Sequence, residues 1–392
     1  MASMVEDTAQ AVRTARLLCF GAGLVGVAAL AAHSTGPIYA DRCVQTAAAA
    51  LALSELSGWH IPLRLVGLSD FRSSVLFSLM VNGAMRKVMW RLAYFVMSFL
   101  YRNEEWTCMN YGYSAVGNGA AYAHFPEEVD KLERYPLQLY RKLALSLPNG
   151  LAGQRLLEVG SGRGGGLAHL ASTQAAAGAP LAAAVGGDLC AQQVALCAGR
   201  FTSGPDGIEG LRYVEADAEN LPFEDGEFDA VINVESSHCY PNVAKFLSEC
   251  KRVLVDGGHL GIVDFRKVEG KVDHGGSRLA IFEDVLHAVD GLTVVHEEDI
   301  TPNVVEACEQ DHTRRLALIE GNVHGPLKKA FLNFAGVADG QSDIFTDFKC
   351  GAYRYKLWVL RKEPALSAFA ALRKPAAGGG RKKRAPARSP SR

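Results

Sequence analysis

The chain has 392 residues, 48% of them hydrophobic, enough to bury a large core in two domains or one elaborated domain. Its 41 basic and 42 acidic residues give a net charge of -1, so the whole chain carries no nucleic-acid signature. Nine scattered cysteines form no CxxC pair, which argues against a disulfide framework and a zinc site and for a reducing compartment.

Met1 to Gln10 is polar, and Arg13 and Arg16 precede Leu17 to Ala32, a run without charge. This run falls a little short of the ~20 residues that span a bilayer, and it has the shape of a signal-peptide core or a tilted anchor. A buried Ala/Gly-rich helix is the other reading. Glu6 and Asp7 argue against an organelle transit peptide. Val44 to Leu56 reads as a helix, and Pro62 and Gly67 then break the chain. Phe71 to Tyr101 is a second apolar stretch, punctuated by Arg86, Lys87 and Arg91 among aromatic residues. It suits a helix lying on a membrane surface or, equally, a helix packed on the following domain as a pocket wall. Residues 1–104 thus read as an apolar helical region.

Tyr101 to Ser114, YRNEEWTCMNYGYS, is too polar and aromatic for plain core and too rigid for a linker. Phe125 to Leu147 predicts an amphipathic helix with a break near Pro136. The chain is organised around Arg155 to Gly166, RLLEVGSGRGGG. Leu156, Leu157 and Val159 make a short buried strand, interrupted by Glu158. Gly160, Gly162 and Gly164 then permit a sharp turn and close approach of a ligand to bare peptide groups. A helix, Leu167 to Ala176, follows the loop.

Leu181 to Val185 predicts a second strand with Asp188 at its carboxyl end, where a carboxylate can accept two hydrogen bonds from a ribose diol. Asp217 follows a third strand within YVEADAENL, placed to take the amino group of an adenine. Phe228 to Asn233, FDAVIN, is a fourth strand and leads into Val234, Glu235, Ser236, Ser237 and His238. Further strands are expected near 258–265, 293–299 and 353–361. Helices are expected over Val243 to Leu254, Ala280 to Gly291 and much of Pro302 to Asn333. Gly257 and Gly258 read as the turn into the fifth strand. Such alternation implies a parallel sheet covered on both faces, with binding residues after successive strands sharing one edge. From 364 the chain turns to Gly, Pro and like charge, which predicts a disordered basic tail. Its RKKR can act as a nuclear address, attract anionic lipid or simply stay solvated.

LEVGSGRGGG, GDL, DAENLPFEDGEFDAVIN and RVLVDGGHLGIVDF together resemble the class I S-adenosylmethionine-dependent methyltransferases. A dinucleotide-binding loop is the competing reading of the glycines, and it would need a pyrophosphate site. Within the class, NVESSHCYPNVAKFLSECKRVL, the NYGY element and FLNFAG…YRYKLWVLRK resemble the phthiotriolone/phenolphthiotriolone dimycocerosates methyltransferase family. The resemblance implies a Rossmann-like α/β fold over 105–363, with a mostly parallel seven-stranded sheet, an antiparallel last strand and helices on both faces. It implies S-adenosyl-L-methionine as cofactor and O-methylation of a hydroxyl on an apolar, lipid or polyketide small molecule. Carbon, nitrogen or thioether methylation of a smaller metabolite is an alternative, as is a non-catalytic cofactor-binding membrane module. An uncleaved anchor over 17–32 would leave the domain facing the cytosol, where the cofactor is made; a cytoplasmic protein is the alternative.

The cofactor-binding residues expected are Tyr111, Glu158, Gly160, Ser161, Gly162, Gly164, Asp188, Leu189, Gln192, Asp217, Ala218 and Asn233. Glu158 and the loop place the amino acid end, Asp188 the ribose, and Asp217 with Ala218 the adenine edge. Asn233 lies beneath the methyl group, and Tyr111 binds the carboxylate or covers the methyl. An alcohol must lose a proton as it attacks, which suits a histidine. His238 is the expected general base with Glu235 as its partner; binding cofactor or capping a helix is the other reading of both. A thioether acceptor has no proton to lose, so His238→Ala would spare that chemistry. No His or carboxylate spacing suggests a metal.

Overall fold

Strand residues of alternating destination build the sheet. In β1 (Arg155–Val159), Leu156 packs into the core on one face and Leu157 into the core on the other, both fully buried. β4 (Phe228–Val234) repeats this, with Ala230 and Ile232 on the first face and Val231 on the second. Full burial of each such Leu, Ile or Val contributes about 1.5–3 kcal/mol. The computed structural model describes residues 87, 91, 94, 106–115, 133–203, 207–268, 279–323, 328, 331–332, 335–338, 340 and 342–364.

Four helices follow or precede the early strands: α1 (Arg134–Ser146), α2 (Gly165–Ala176), α3 (Ala191–Phe201) and α4 (Val243–Val253). They are interleaved with β1, β2 (Ala183–Asp188), β3 (Leu211–Glu215), β4 and β5 (Leu254–Lys267), β4 following β3 with no helix between. The chain continues through α5 (Leu279–Ala288), β6 (Leu292–Asp299), α6 (Thr301–Gln310), α7 (His312–Asn322), α8 (Asp343–Cys350) and β7 (Tyr353–Lys362). The seven strands lie in the order β3-β2-β1-β4-β5-β7-β6. β7 runs antiparallel to both neighbours and the other strands run in one direction, which is the seven-stranded, mostly parallel α/β sheet expected. The carboxyl ends of β1 to β4 therefore open on one edge.

Of the helix expected over 125–147, the described part begins at Arg134 after non-helical Glu133, and Pro136 is its third residue, in the first turn, where a missing N–H leaves no bond unmade. One local expectation is corrected. Gly257 and Gly258 do not precede β5 but lie inside it. The pairing of β5 with β4 skips between Phe228 and Ala230, and Gly257, at φ 79°, takes up the irregularity. Of the N-terminal region only residues 87, 91 and 94 are described, so the expected anchor at 17–32 lies outside the described residues, as does the basic tail from 365. Among the described residues no helix is long and apolar enough to cross a membrane.

Candidate active site

At the end of β1 the chain turns at Gly160, whose φ is 79° and whose Cβ, if it had one, would lie 2.3 Å from Ser236 Oγ. Only glycine fits there. Gly160 and Ser161 donate their N–H groups to Gly187 O at 2.7 and 3.0 Å, which pins the loop to the end of β2. Gly162 N–H donates to Asp188 Oδ2 at 2.9 Å, and Cys190 N–H to Oδ1 at 2.8 Å. Burial pushes the Asp188 carboxyl up to about 6, against those two hydrogen bonds. Gly164 caps α2 in the left-handed conformation.

Glu158 is fully buried behind the loop. Tyr140 O–H donates to its Oε1 at 2.7 Å, while Oε2 has no partner. Burial, with the charge of Asp188 added, pushes it up to about 8 despite the tyrosine. Ser161 Oγ is a second buried polar atom without a partner.

After β3, Asp217 Oδ1 accepts from Glu219 N–H at 2.9 Å. Lys87 Nζ lies 2.7 Å from Asp217 Oδ2 and 2.9 Å from Glu219 Oε2. Arg91 pairs with Glu215, and Tyr94 O–H lies 3.7 Å from Cys239 Sγ. Positions 87, 91 and 94 are helical and share one face, so this face is laid over the strand tips as a pocket wall.

β4 ends at Val234, and Glu235 follows with φ 46°, the one non-glycine residue at positive φ among those described. Its Oε1 accepts from Tyr111 N–H at 2.6 Å and from Tyr355 O–H. Burial pushes Glu235 up to about 8, against both bonds. His238 sits in the short turn Ser237–Cys239. Its Nδ1 lies 2.9 Å from Asp264 Oδ1, and its main-chain N–H donates to Asp264 Oδ2 at 3.0 Å. The expected pairing of His238 with Glu235 is thus corrected: Asp264 of β5 is the partner. The reason is register. β4 and β5 pair Val234 with Val263, so Asp264 comes level with the turn, while the left-handed backbone at Glu235 aims its side chain at Tyr111 and Tyr355.

Asp264 is fully buried, yet Arg266 and His238 hold its carboxyl well below the usual carboxylate range. Burial works against a charge on His238, but the Cys239 sulfur and the Asp264 carboxylate outweigh it and push the imidazole up to about 10. Sequence reasoning passed over Asp264 because GIVDFR reads as strand interior. Its signal was a charged pair, Asp264 and Arg266, inside a run that must be buried.

These groups line a cavity of about 500 Å³. Tyr111, Gly160, Ser161, Gly162, Asp188, Leu189, Asp217, Ala218, Glu235 and His238 reach it. So do Trp106, Phe265, Leu318, Ile319, Phe331, Ile344 and Tyr353, an apolar set. Four expected residues do not line it. Glu158 and Gly164 lie behind the loop. Gln192 is exposed on α3 and accepts from Cys190 Sγ at 3.4 Å. Asn233 is fully buried and spends its amide on Val159 O, Ser236 Oγ and Tyr240 Oη at 2.7–3.0 Å, tying β4 to β1. Among the described residues no group of three or more His, Cys, Asp or Glu is placed to hold a metal ion.

The methyltransferase domain family matches residues 157–262, from β1 into β5. A phthiotriol/phenolphthiotriol dimycocerosates methyltransferase of Mycobacterium leprae is 32% identical over 286 residues, 72% of this chain and 95% of the relative. The protein of that name in Mycobacterium tuberculosis is 30% identical over 278 residues, 71% of this chain and 93% of the relative. The chain belongs to this methyltransferase family. A fatty-acid O-methyltransferase of Mycolicibacterium smegmatis is 38% identical over 176 residues, 45% of this chain and 59% of that relative. Among solved structures, the [4+2]-cyclase SpnF superposes with a TM-score of 0.52 at 21% identity, over 70% of this chain and 94% of that one; this is a likeness of fold alone.

The methyltransferase takes S-adenosylmethionine as its methyl donor, and the site fits that group. Asp188 and Asp217 stand at the tips of adjacent strands and both line the cavity, where their carboxylates would hold a nucleoside's ribose and base. The unpartnered Ser161 Oγ of the glycine loop, which lines the cavity, suits its charged amino acid end.

Proposed function

We propose that this methyltransferase methylates an oxygen of a long, apolar lipid, with a hydroxyl as the acceptor group. The observation that carries this reading is His238, held by Asp264 at the wall of a cavity that Trp106, Phe265, Leu318, Ile319 and Phe331 also line. S-adenosylmethionine supplies the electrophilic methyl group: its carbon–sulfur bond breaks as the carbon–oxygen bond forms. The chain aligns the acceptor, excludes water with its apolar wall and takes the hydroxyl proton on His238. The relatives that support a lipid acceptor are the dimycocerosates and fatty-acid methyltransferases by name.

A second reading has a specific observation behind it. An imidazole pushed up to about 10 is a cation at neutral pH and can hold the carboxylate of a fatty acid, which has no proton to lose. The two readings differ in sign with pH. Removal of a hydroxyl proton needs neutral His238, so the rate rises roughly tenfold per unit toward about pH 10 and then levels. Binding of a carboxylate needs cationic His238, so that rate is flat at neutral pH and falls above about 10. Methyl-labelled donor incubated with a total lipid extract identifies the product, and pH profiles on a long-chain secondary alcohol and on a fatty acid follow. No labelled lipid from any extract, with label instead in a small polar metabolite, would sink both readings.

The organisation that goes with this function is a domain over 105–363, an apolar N-terminal region over 1–104 that holds it at a membrane surface, and a basic tail from 364. The uncharged run at 17–32 and the mixed basic and aromatic stretch at 71–101 support it.

A further inference from the structure

Tyr111 is gripped by its main chain and by its ring. Its N–H donates to Glu235 Oε1 at 2.6 Å, and its carbonyl accepts from Arg315 Nη2 at 2.8 Å. One ring edge lies against Gly336, where a Cβ would come within 2.6 Å of Tyr111 Cδ1. The ring also packs edge-on with Phe265 and Phe348, at 5.6 and 5.3 Å. The hydroxyl is the exception. Among the described residues nothing bonds to it, although Tyr111 is only 8% exposed and lines the cavity. Burial, with the charge of Glu235 added, pushes it well above the ordinary tyrosine range, so the O–H stays a donor. Glu235 leaves a second oxygen in the same state. Its Oε1 takes Tyr111 N–H and Tyr355 O–H, while Oε2 has no partner among the described residues, and Glu235 lines the cavity too.

We infer that Tyr111 and Glu235 form a subsite for a second hydroxyl of the acceptor, a few bonds from the oxygen that is methylated, so that the enzyme selects a diol. Placement carries this. Phe265 packs against His238 at 4.6 Å and against Tyr111 at 5.6 Å, so the imidazole and the phenol flank one phenyl ring on the wall of one cavity. A hydroxyl suits both protonation states of Glu235. It accepts from Tyr111 O–H, and then either donates to the carboxylate or accepts from the carboxylic acid. A carbonyl or ether oxygen can do only the second. An acceptor with a single hydroxyl strands both groups beside the apolar side chains of Phe265, Leu318, Phe331 and Ile344, which costs binding. This rests on the reading of the acceptor as an alcohol.

The test compares full-length wild type with Tyr111→Phe, which removes an oxygen that bonds to none of the described residues. Methyl transfer is measured on a long-chain 1,3-diol and on the matching secondary alcohol with one hydroxyl, and calorimetry follows binding of S-adenosylhomocysteine. Wild type is expected to prefer the diol by about tenfold or more in kcat/KM, mostly through KM. In Tyr111→Phe that preference is expected to fall to about threefold or less, with affinity for S-adenosylhomocysteine within about twofold of wild type. Equal use of the two alcohols by wild type overturns the inference. So does a preference untouched in Tyr111→Phe, and a loss of S-adenosylhomocysteine affinity beside it places the tyrosine on the donor instead. If Tyr111→Phe does not fold, the wild-type ratio decides. If wild type methylates neither alcohol, the alcohol reading fails. Binding of the two alcohols to wild type saturated with S-adenosylhomocysteine then decides the subsite: tighter binding of the diol upholds it, and equal binding rejects it.

Discussion

At the scale of single residues, two carboxylates one strand apart, Asp188 and Asp217, are expected to govern donor binding. Asp188 already accepts two N–H groups from the loops around it, so it is held in place before a ribose arrives. Hydrogen bonds to a charged group are worth about 1.5–3 kcal/mol, so Asp188→Asn and Asp217→Asn should each weaken donor binding by tenfold or more. Calorimetric titration with S-adenosylmethionine checks this, and affinities unchanged in both variants would contradict the site. The positions of Asp188 and Asp217 at the ends of successive strands were legible because a strand end is a local property. The partner of His238 was not. Asp264 lies 26 residues further on, and only the β4–β5 register brings it level with the turn. Glu235 misled for a related reason: its left-handed backbone turns it away from its sequence neighbour.

At the scale of elements, the helical face that carries Lys87, Arg91 and Tyr94 lies over the ends of β3 and β4. Lys87 holds both Asp217 and Glu219, so an adenine amino group must compete with it for Asp217. A partly exposed pair of this kind is worth about 1 kcal/mol or less. Lys87→Ala is therefore expected to tighten donor binding up to about fivefold, by the same calorimetry. Weaker binding in the variant would mean that the helix completes the site and does not compete for it. Apolar periodicity located the later strands and helices to within a few residues. It misplaced the start of β5, because a glycine pair reads as a turn until pairing shows a bulge.

At the scale of the molecule, seven strands with one antiparallel member put every functional strand end on the same edge, beside an apolar cavity. Membrane attachment belongs to this scale too. Carbonate extraction of membranes from cells carrying the full chain should leave it in the pellet, and deletion of residues 1–101 should release it. Full-length protein found wholly in the soluble fraction would end the anchor proposal. Sequence by itself determined the fold class, the glycine loop, the donor and the carboxylates at the strand ends, because strand hydrophobicity, turn glycines and strand-end acids are encoded by neighbours in the chain. Only the tertiary structure decided that Asn233 is spent on holding β1 to β4, that Gln192 faces outward, and that a buried Asp264–Arg266 pair backs His238. Those outcomes depend on strand register and on how buried polar atoms find partners across the sheet, and a linear pattern carries neither.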